Sequence, residues 1–335
     1  MARLSEELAL AWSSLPPNGD VVSGWRGIPI SRLGAIALRG GRRYPSGHEA
    51  LMARFDKATL PSAQKLPDGL GFTVERASPL ADGSIWLALT RSDSGGVDLF
   101  AEMARDVAEA LDACPADDEP RALRVMLGRV RAWQEFMRKG GQSLSAEGEI
   151  GLVGELAALA EMIGLGVPAV TAIEAWVGPL DGLRDFEIGT GGIEVKTTNA
   201  TAGFRARIGS LDQLDDSTRQ PLYLAGIRLR ELASGKTLPG AVEEARAKAQ
   251  GSAEAKTLLD ERLLAAGFRD VHADRYSRRF VVESAKVLHV AEGFPRLTPW
   301  NVPQGVTAAS YDIDFEQAPG ENLGFEGALR KLGAI

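Results

Sequence analysis

Two acids and a lysine in the stretch Leu183-Arg-Asp-Phe-Glu-Ile-Gly-Thr-Gly-Gly-Ile-Glu-Val-Lys-Thr197 have the types and spacing of a hydrolytic metal site. The stretch reads as two short alternating strands around a Gly-rich turn. Asp185 falls on the first strand, Glu194 and Lys196 on the second. Carboxylate oxygens are the natural ligands of a hard divalent cation. Such a cation with an ammonium group beside it stabilises the charge that develops when a phosphodiester is hydrolysed.

These residues need a scaffold that turns them to one side. Side chains alternate along a strand, so Phe186 and Ile188 share one face while Asp185 and Glu187 share the other. Ile193 and Val195 likewise oppose Glu194 and Lys196. The apolar pairs can enter a core while Asp185, Glu194 and Lys196 converge opposite it. The spacing predicts a helix over 144–163, with an apolar stripe at Leu152, Leu156, Leu159 and Ile163. Glu155 falls inside that arc, near Leu159 and Met162, where an unpaired carboxylate costs several kcal/mol. Glu155 is therefore a candidate further member of the site. The element order helix, strand, strand, strand, helix, strand places the acidic side against this helix. A second Glu-x-Lys, Glu254-Ala-Lys256, sits in an Ala-rich helical context without a partner acid and reads as solvated surface. For Asp185, Glu194 and Lys196 the bland alternative is a surface hairpin with a cross-strand ion pair of small worth.

Upstream, a helix is expected over 4–12, ended by Pro16-Pro17. Strands are expected over 71–76 and 84–91, joined by a hairpin turn at Ala81-Asp-Gly83. Helices over 98–111 and 121–139 follow. The second carries Arg121, Arg124, Arg129, Arg131, Arg138 and Lys139 against Glu135, and is the most basic stretch of the chain. Its face is solvated or touches phosphates. After the 144–163 helix the pattern predicts a strand over 172–177, the 183–197 hairpin and a short helical segment at 210–216. It continues with a strand over 222–229, helices over 239–250 and 253–266, and strands over 279–290 and 306–315. The divisions that follow are an N-terminal α+β region (1–95), a helical connector with the basic helix (96–143), and a main part over 144–335.

The 335 residues are 44% hydrophobic and 25% charged, the composition of an ordinary soluble globular protein of about two domains. No apolar run reaches the ~18 residues of a membrane span. The acidic start, Met1-Ala-Arg-Leu-Ser-Glu-Glu-Leu8, differs from a basic secretory leader, and a cytoplasmic location is expected. A single cysteine, Cys114, excludes a disulfide framework and a thiolate zinc site. His48, His272 and His289 are scattered without ligand spacing. The net charge of −7 argues against a protein that coats nucleic acid, but not against an enzyme with a local basic face. No Gly-x-x-x-x-Gly-Lys loop is present, so any ATP-driven step belongs to a separate protein.

The residues Gly151-Leu-Val-Gly-Glu-Leu156, Trp176-Val-Gly178, Arg184-Asp-Phe186, Glu194-Val-Lys-Thr197, Gly293-Phe-Pro-Arg-Leu297 and Ser310-Tyr311 resemble the PD-(D/E)XK nuclease superfamily. More narrowly, they are similar to the bacterial "PD-(D/E)XK motif protein" family. Leu183-Arg184 stands where the superfamily pattern has its Pro. The resemblance implies a restriction-endonuclease-like αβββαβ core over about 145–230, with a mixed sheet in an α/β (α+β) chain carrying N- and C-terminal β-rich extensions. It implies a metal-dependent DNA endonuclease. Asp185 and Glu194 would bind Mg²⁺ (Mn²⁺ substituting) with the main-chain carbonyl of Val195, and Glu155 would complete the shell directly or through water. Lys196 would orient or help deprotonate the attacking water. Thr197 reads as structural. Arg205, Arg207 and Arg131 are candidates for DNA contact, with Arg278 and Arg279 behind them. The narrower family occurs beside methyltransferase and ATPase genes in restriction or phage-defence clusters, which implies protein partners; a homodimer would serve a double-strand cut. Two other readings stay open: a nuclease-fold subunit that binds DNA and partners without cutting, and a hydrolase of another phosphate ester.

Overall fold

The computed structural model describes residues 4–17, 23–30, 36–57, 60, 61, 65–77, 85–115 and 118–335. The chain divides into two compact units, 1–141 and 142–335. Among the described residues no helix is long and apolar enough to cross a membrane.

The first unit holds α1 (Leu4–Ser14), β1 (Gly24–Pro29), β2 (Ala37–Tyr44), β3 (His48–Phe55), β4 (Asp68–Gly69), β5 (Phe72–Ala77), β6 (Ile85–Arg91), α2 (Val97–Asp112) and α3 (Glu119–Arg138). Its strands form one antiparallel sheet in the order β1-β2-β3-β6-β5-β4. Glycines and arginines in β2 mask its alternation, and the buried Arg42 is neutralised by Glu49 at 2.8 Å, which also accepts from Arg91. The turn expected at 81–83 lies outside the described residues. In α3, Asp118 caps the first turn by accepting from the Arg121 N–H, and Pro120 follows it. The apolar face of α3 is buried at Leu123, Leu127, Val130 and Trp133. Arg129 of the basic run is spent on a bidentate pair with Asp106 at 2.6 Å, and Arg131 is exposed.

The second unit holds α4 (Ala146–Gly164), α5 (Ala169–Ala175), β7 (Phe186–Ile188), β8 (Gly191–Thr198), β9 (Arg205–Ile208), β10 (Leu222–Lys236), α6 (Leu238–Ala249), α7 (Ala253–Ala266), β11 (Phe280–His289), β12 (Tyr311–Asp314) and α8 (Gly324–Leu332). Its main sheet, β11-β10-β8-β7, is mixed: β8 and β10 run parallel, and the outer pairs are antiparallel. β9 and β12 form a separate antiparallel ribbon. One face of the main sheet packs its Ile193, Val195, Ala225 and Ile227 against Leu152, Leu156 and Leu159 of α4, with Val242 of α6 and Leu329 of α8 in the same core. The other face carries a second core of Phe204, Ile208, Leu224, Leu288, Ile313 and Phe315.

Three local expectations are corrected. Residues 172–177 are not a strand. Pro168 starts α5, which buries Ala172, Ile173 and Ala175 at helical spacing, and only Trp176 bridges to Phe186. A short apolar run is compatible with either period, and here the helical one buries Ala172, Ile173 and Ala175. Residues 210–216 form turns rather than a helix, and the strand expected over 306–315 is limited to β12.

α4 and β8 touch so closely at Gly154 that a methyl there would overlap the Thr197 hydroxyl and press on its Cβ. Gly154→Ala should therefore cost about 1–3 kcal/mol, read as a drop in the urea midpoint, with Thr197→Ala restoring part of it. An unchanged midpoint would refute the contact.

Candidate active site

Asp185 sits immediately before β7, pinned at both ends. Its carbonyl accepts from the N–H groups of Val177 (2.9 Å) and Gly178 (3.0 Å), and its Oδ2 accepts from the Val195 N–H at 2.7 Å. Gly178 permits this approach, because a Cβ there would lie 2.7 Å from Asp185 Oδ1 and 3.0 Å from its Cα. The carboxylate thus crosses from β7 to the main chain of β8. The Val195 carbonyl shares that strand edge, since the N–H and C=O of one strand residue face the same neighbour.

Glu194 stands in the middle of β8, between β7 and β10, and is 1% exposed. Its Oε1 accepts from Lys196 Nζ at 2.8 Å and from Gln213 Nε2 at 2.5 Å. Its Oε2 is buried and has no hydrogen-bond partner among the described residues. Burial, and then the charge of Asp185, push the Glu194 carboxyl up to about 8. Burial also raises Asp185, against the pull of the Val195 N–H and of Lys196. Burial acts to lower Lys196, but the charges of Glu194, Asp185 and Glu155 outweigh it and hold the ammonium above its ordinary value. Two carboxylates that burial raises, one of them raised further by the other's charge, form a donor set that fits a hard divalent cation.

Glu155 is half-buried on α4 and accepts from the Trp176 indole N–H at 2.7 Å, while the indole stacks on Phe186. It stands within electrostatic reach of Lys196. Among the described residues no three His, Cys, Asp or Glu side chains form a ready cation cage.

The site faces away from α4, contrary to the expected placement. α4 covers the Ile193 and Val195 face, whereas Glu194 lies beside Leu224 of the second core. Two apolar cores sandwich the sheet, and Glu194 lies on the side of the second one.

Arg205 and Arg207 point outward from β9, where their register partners on β12 are Asp314 and Asp312; Arg205 Nε lies 3.8 Å from Asp312 Oδ2. Arg278 is consumed by Glu149 at 2.6 Å and the Ala146 carbonyl, and Arg279 donates to the Gly235 carbonyl. His48 pairs with Asp93, and the His289 ring lies against Tyr223. Sequence spacing missed Gln213. It lies in an irregular loop and reaches Glu194 only through the tertiary fold.

A family described as "Putative PD-(D/E)XK family member, (DUF4420)" matches residues 8–316. The chain belongs to this family. No curated protein and no solved structure matches it. Membership agrees with the α+β architecture and mixed sheet, a restriction-endonuclease-like fold in which the first core strand is reduced to the Trp176–Phe186 bridge. The departure from the PD-(D/E)XK pattern at Leu183-Arg184 also has a structural reason. Arg184 is 2% exposed, lies along Gly192 of β8 and donates to the Asp215 carbonyl, a reach that proline lacks.

Proposed function

We propose that the chain is a metal-dependent DNA endonuclease of the cytoplasm, working within a restriction or phage-defence system. The observation that carries this reading is the buried Asp185–Glu194 pair with the Lys196 ammonium hydrogen-bonded to it. Mg²⁺, or Mn²⁺ in its place, would supply an activated water and stabilisation of the leaving oxygen. Asp185, Glu194 and the Val195 carbonyl would hold the ion. Lys196 is kept protonated by its three acidic neighbours, so in the metal-free protein it is a donor rather than a base. That suits it to orient the attacking water and to offset charge on the phosphorus. Glu155 tunes Lys196 while anchored to Trp176.

The test is incubation with plasmid and linear DNA, plain and cytosine-methylated, with Mg²⁺, Mn²⁺ or EDTA. Metal-dependent cutting is expected. Silence in every arm from a folded protein would move the reading to its alternative, a subunit that binds DNA and partners such as a methyltransferase or an ATPase. The charge of −7 and the pairing of Arg205 and Arg207 with acids favour that alternative.

Arg205→Ala and Arg207→Ala should each flatten the plot of log affinity against log salt by about one unit. An unaltered slope would confine these arginines to the β9–β12 ribbon, and Arg131 on α3 would be the next to test.

A further inference from the structure

The loop 209–216 is held in a manner unusual for a segment without regular structure. Arg184 donates to the Asp215 carbonyl, and Arg296 donates to the neighbouring Leu214 carbonyl at 2.9 Å while pairing with Asp216 at 2.9 Å. Arg296 belongs to the Gly293-Phe-Pro-Arg-Leu297 stretch, whose chemistry the active site leaves unexplained. Phe294 roots that stretch in the second core, and the Tyr311 side chain accepts from the Leu297 N–H at 2.9 Å. Gln213 stands at the tip of this clamp. Its Oε1 accepts from the Gly209 N–H at 2.8 Å, which fixes which end of the amide is the donor, and its Nε2 donates to Glu194 Oε1.

We infer that Gln213 is a positioning residue for the metal ligand Glu194, and that Arg296 and Arg184 form the brace that keeps it there. The inference rests on the metal site proposed above. With Gln213 and Lys196 both on Oε1, the Glu194 carboxylate has one rotational setting, and its other oxygen is left for a cation. Partners that orient ligands in this way typically change metal affinity by about 10–100-fold.

The experiment is Mn²⁺ titration by calorimetry on the full chain without nucleic acid, beside melting temperatures taken without metal. Gln213→Met keeps the volume and removes the donor. It should weaken Mn²⁺ binding about 10–100-fold with a melting temperature within about 4 °C of wild type. Arg296→Met should weaken binding in the same direction, and Arg296→Lys, which keeps a donor for Leu214, should recover part of the loss. Wild-type affinity in Gln213→Met overturns the inference. So does a loss in both Met variants that merely follows their unfolded fraction. A wild type that binds no Mn²⁺ overturns it together with the nuclease reading. Tight, Gln213-dependent Mn²⁺ binding without cleavage of any DNA keeps the brace and retires the nuclease reading alone.

Discussion

Lys196→Ala and Asp185→Ala will each reduce DNA cleavage at least about 10²–10³-fold while leaving a folded protein, the scale on which single charge-stabilising groups act in a dry site. The two variants fail for different reasons. Lys196→Ala removes one of the two donors to Glu194 Oε1 and the ammonium that faces three acids, so a cation is still held but the developing charge is not met. Asp185→Ala removes a ligand and the acceptor of the Val195 N–H. Single-turnover cleavage at saturating Mn²⁺ separates them: Lys196→Ala should stay slow at every concentration, and Asp185→Ala should recover partially as Mn²⁺ rises. Wild-type rates in either variant would remove that residue from the site.

Replacing Glu194 with Gln will abolish cleavage and, in the metal-free protein at pH 8, raise the melting temperature. The sign follows from linkage. The Glu194 carboxyl is raised from an ordinary 4.5 to about 8 in the folded chain. Between those values the folded state keeps a proton that the unfolded chain has released, so stability falls as pH rises through the window and the loss is complete above about 8. The raised Asp185 acts in the same direction. The penalty is several kcal/mol at the order of magnitude, which for a protein of this size is roughly 5–10 °C of melting temperature. Differential scanning calorimetry in EDTA at pH 6 and pH 8 reads the upper part of it. Wild type should melt lower at pH 8, and Glu194→Gln should show much less of that drop. Mn²⁺ should stabilise wild type more at pH 8 than at pH 6, where it must displace a proton. A flat pH dependence in wild type would show that Glu194 is solvated rather than buried.

The part of the site carried by local pattern was legible in the chain. Phe186 and Ile188 alternate against Asp185, and Ile193 and Val195 against Glu194 and Lys196, because one face of β7 and β8 is buried in the core. Glu155 was visible as a carboxylate in an apolar arc. α6 and α7 fall where helices are expected over 239–250 and 253–266, and in the structure Thr237 and Ser252 cap them. What stayed hidden depends on distant partners. β2 and β3 bury Arg42 and Glu49 against each other, so their pattern looks polar. β10 runs past the apolar stretch 222–229 because its polar half pairs with β11. α8 has its apolar residues at Phe325, Ala328, Leu329 and Leu332, a helical spacing confined to a nine-residue element. Gln213 carries no periodicity, and its role exists only once Arg184 and Arg296 hold its loop.

The pairing of β9 with β12 sets an order in time. Ile208 lies opposite Tyr311, and the Arg296 anchor comes between them in the chain. A growing polypeptide therefore carries Asp185, Glu194 and Lys196 well before the segment that fixes their surroundings has been made. Contacts so far apart in sequence close late, because the intervening chain must first be ordered. A chain released before residue 296 would carry Asp185, Glu194 and Lys196 without the Arg296 anchor of the Gln213 loop, so the surroundings of these side chains are completed only by the C-terminal part of the chain.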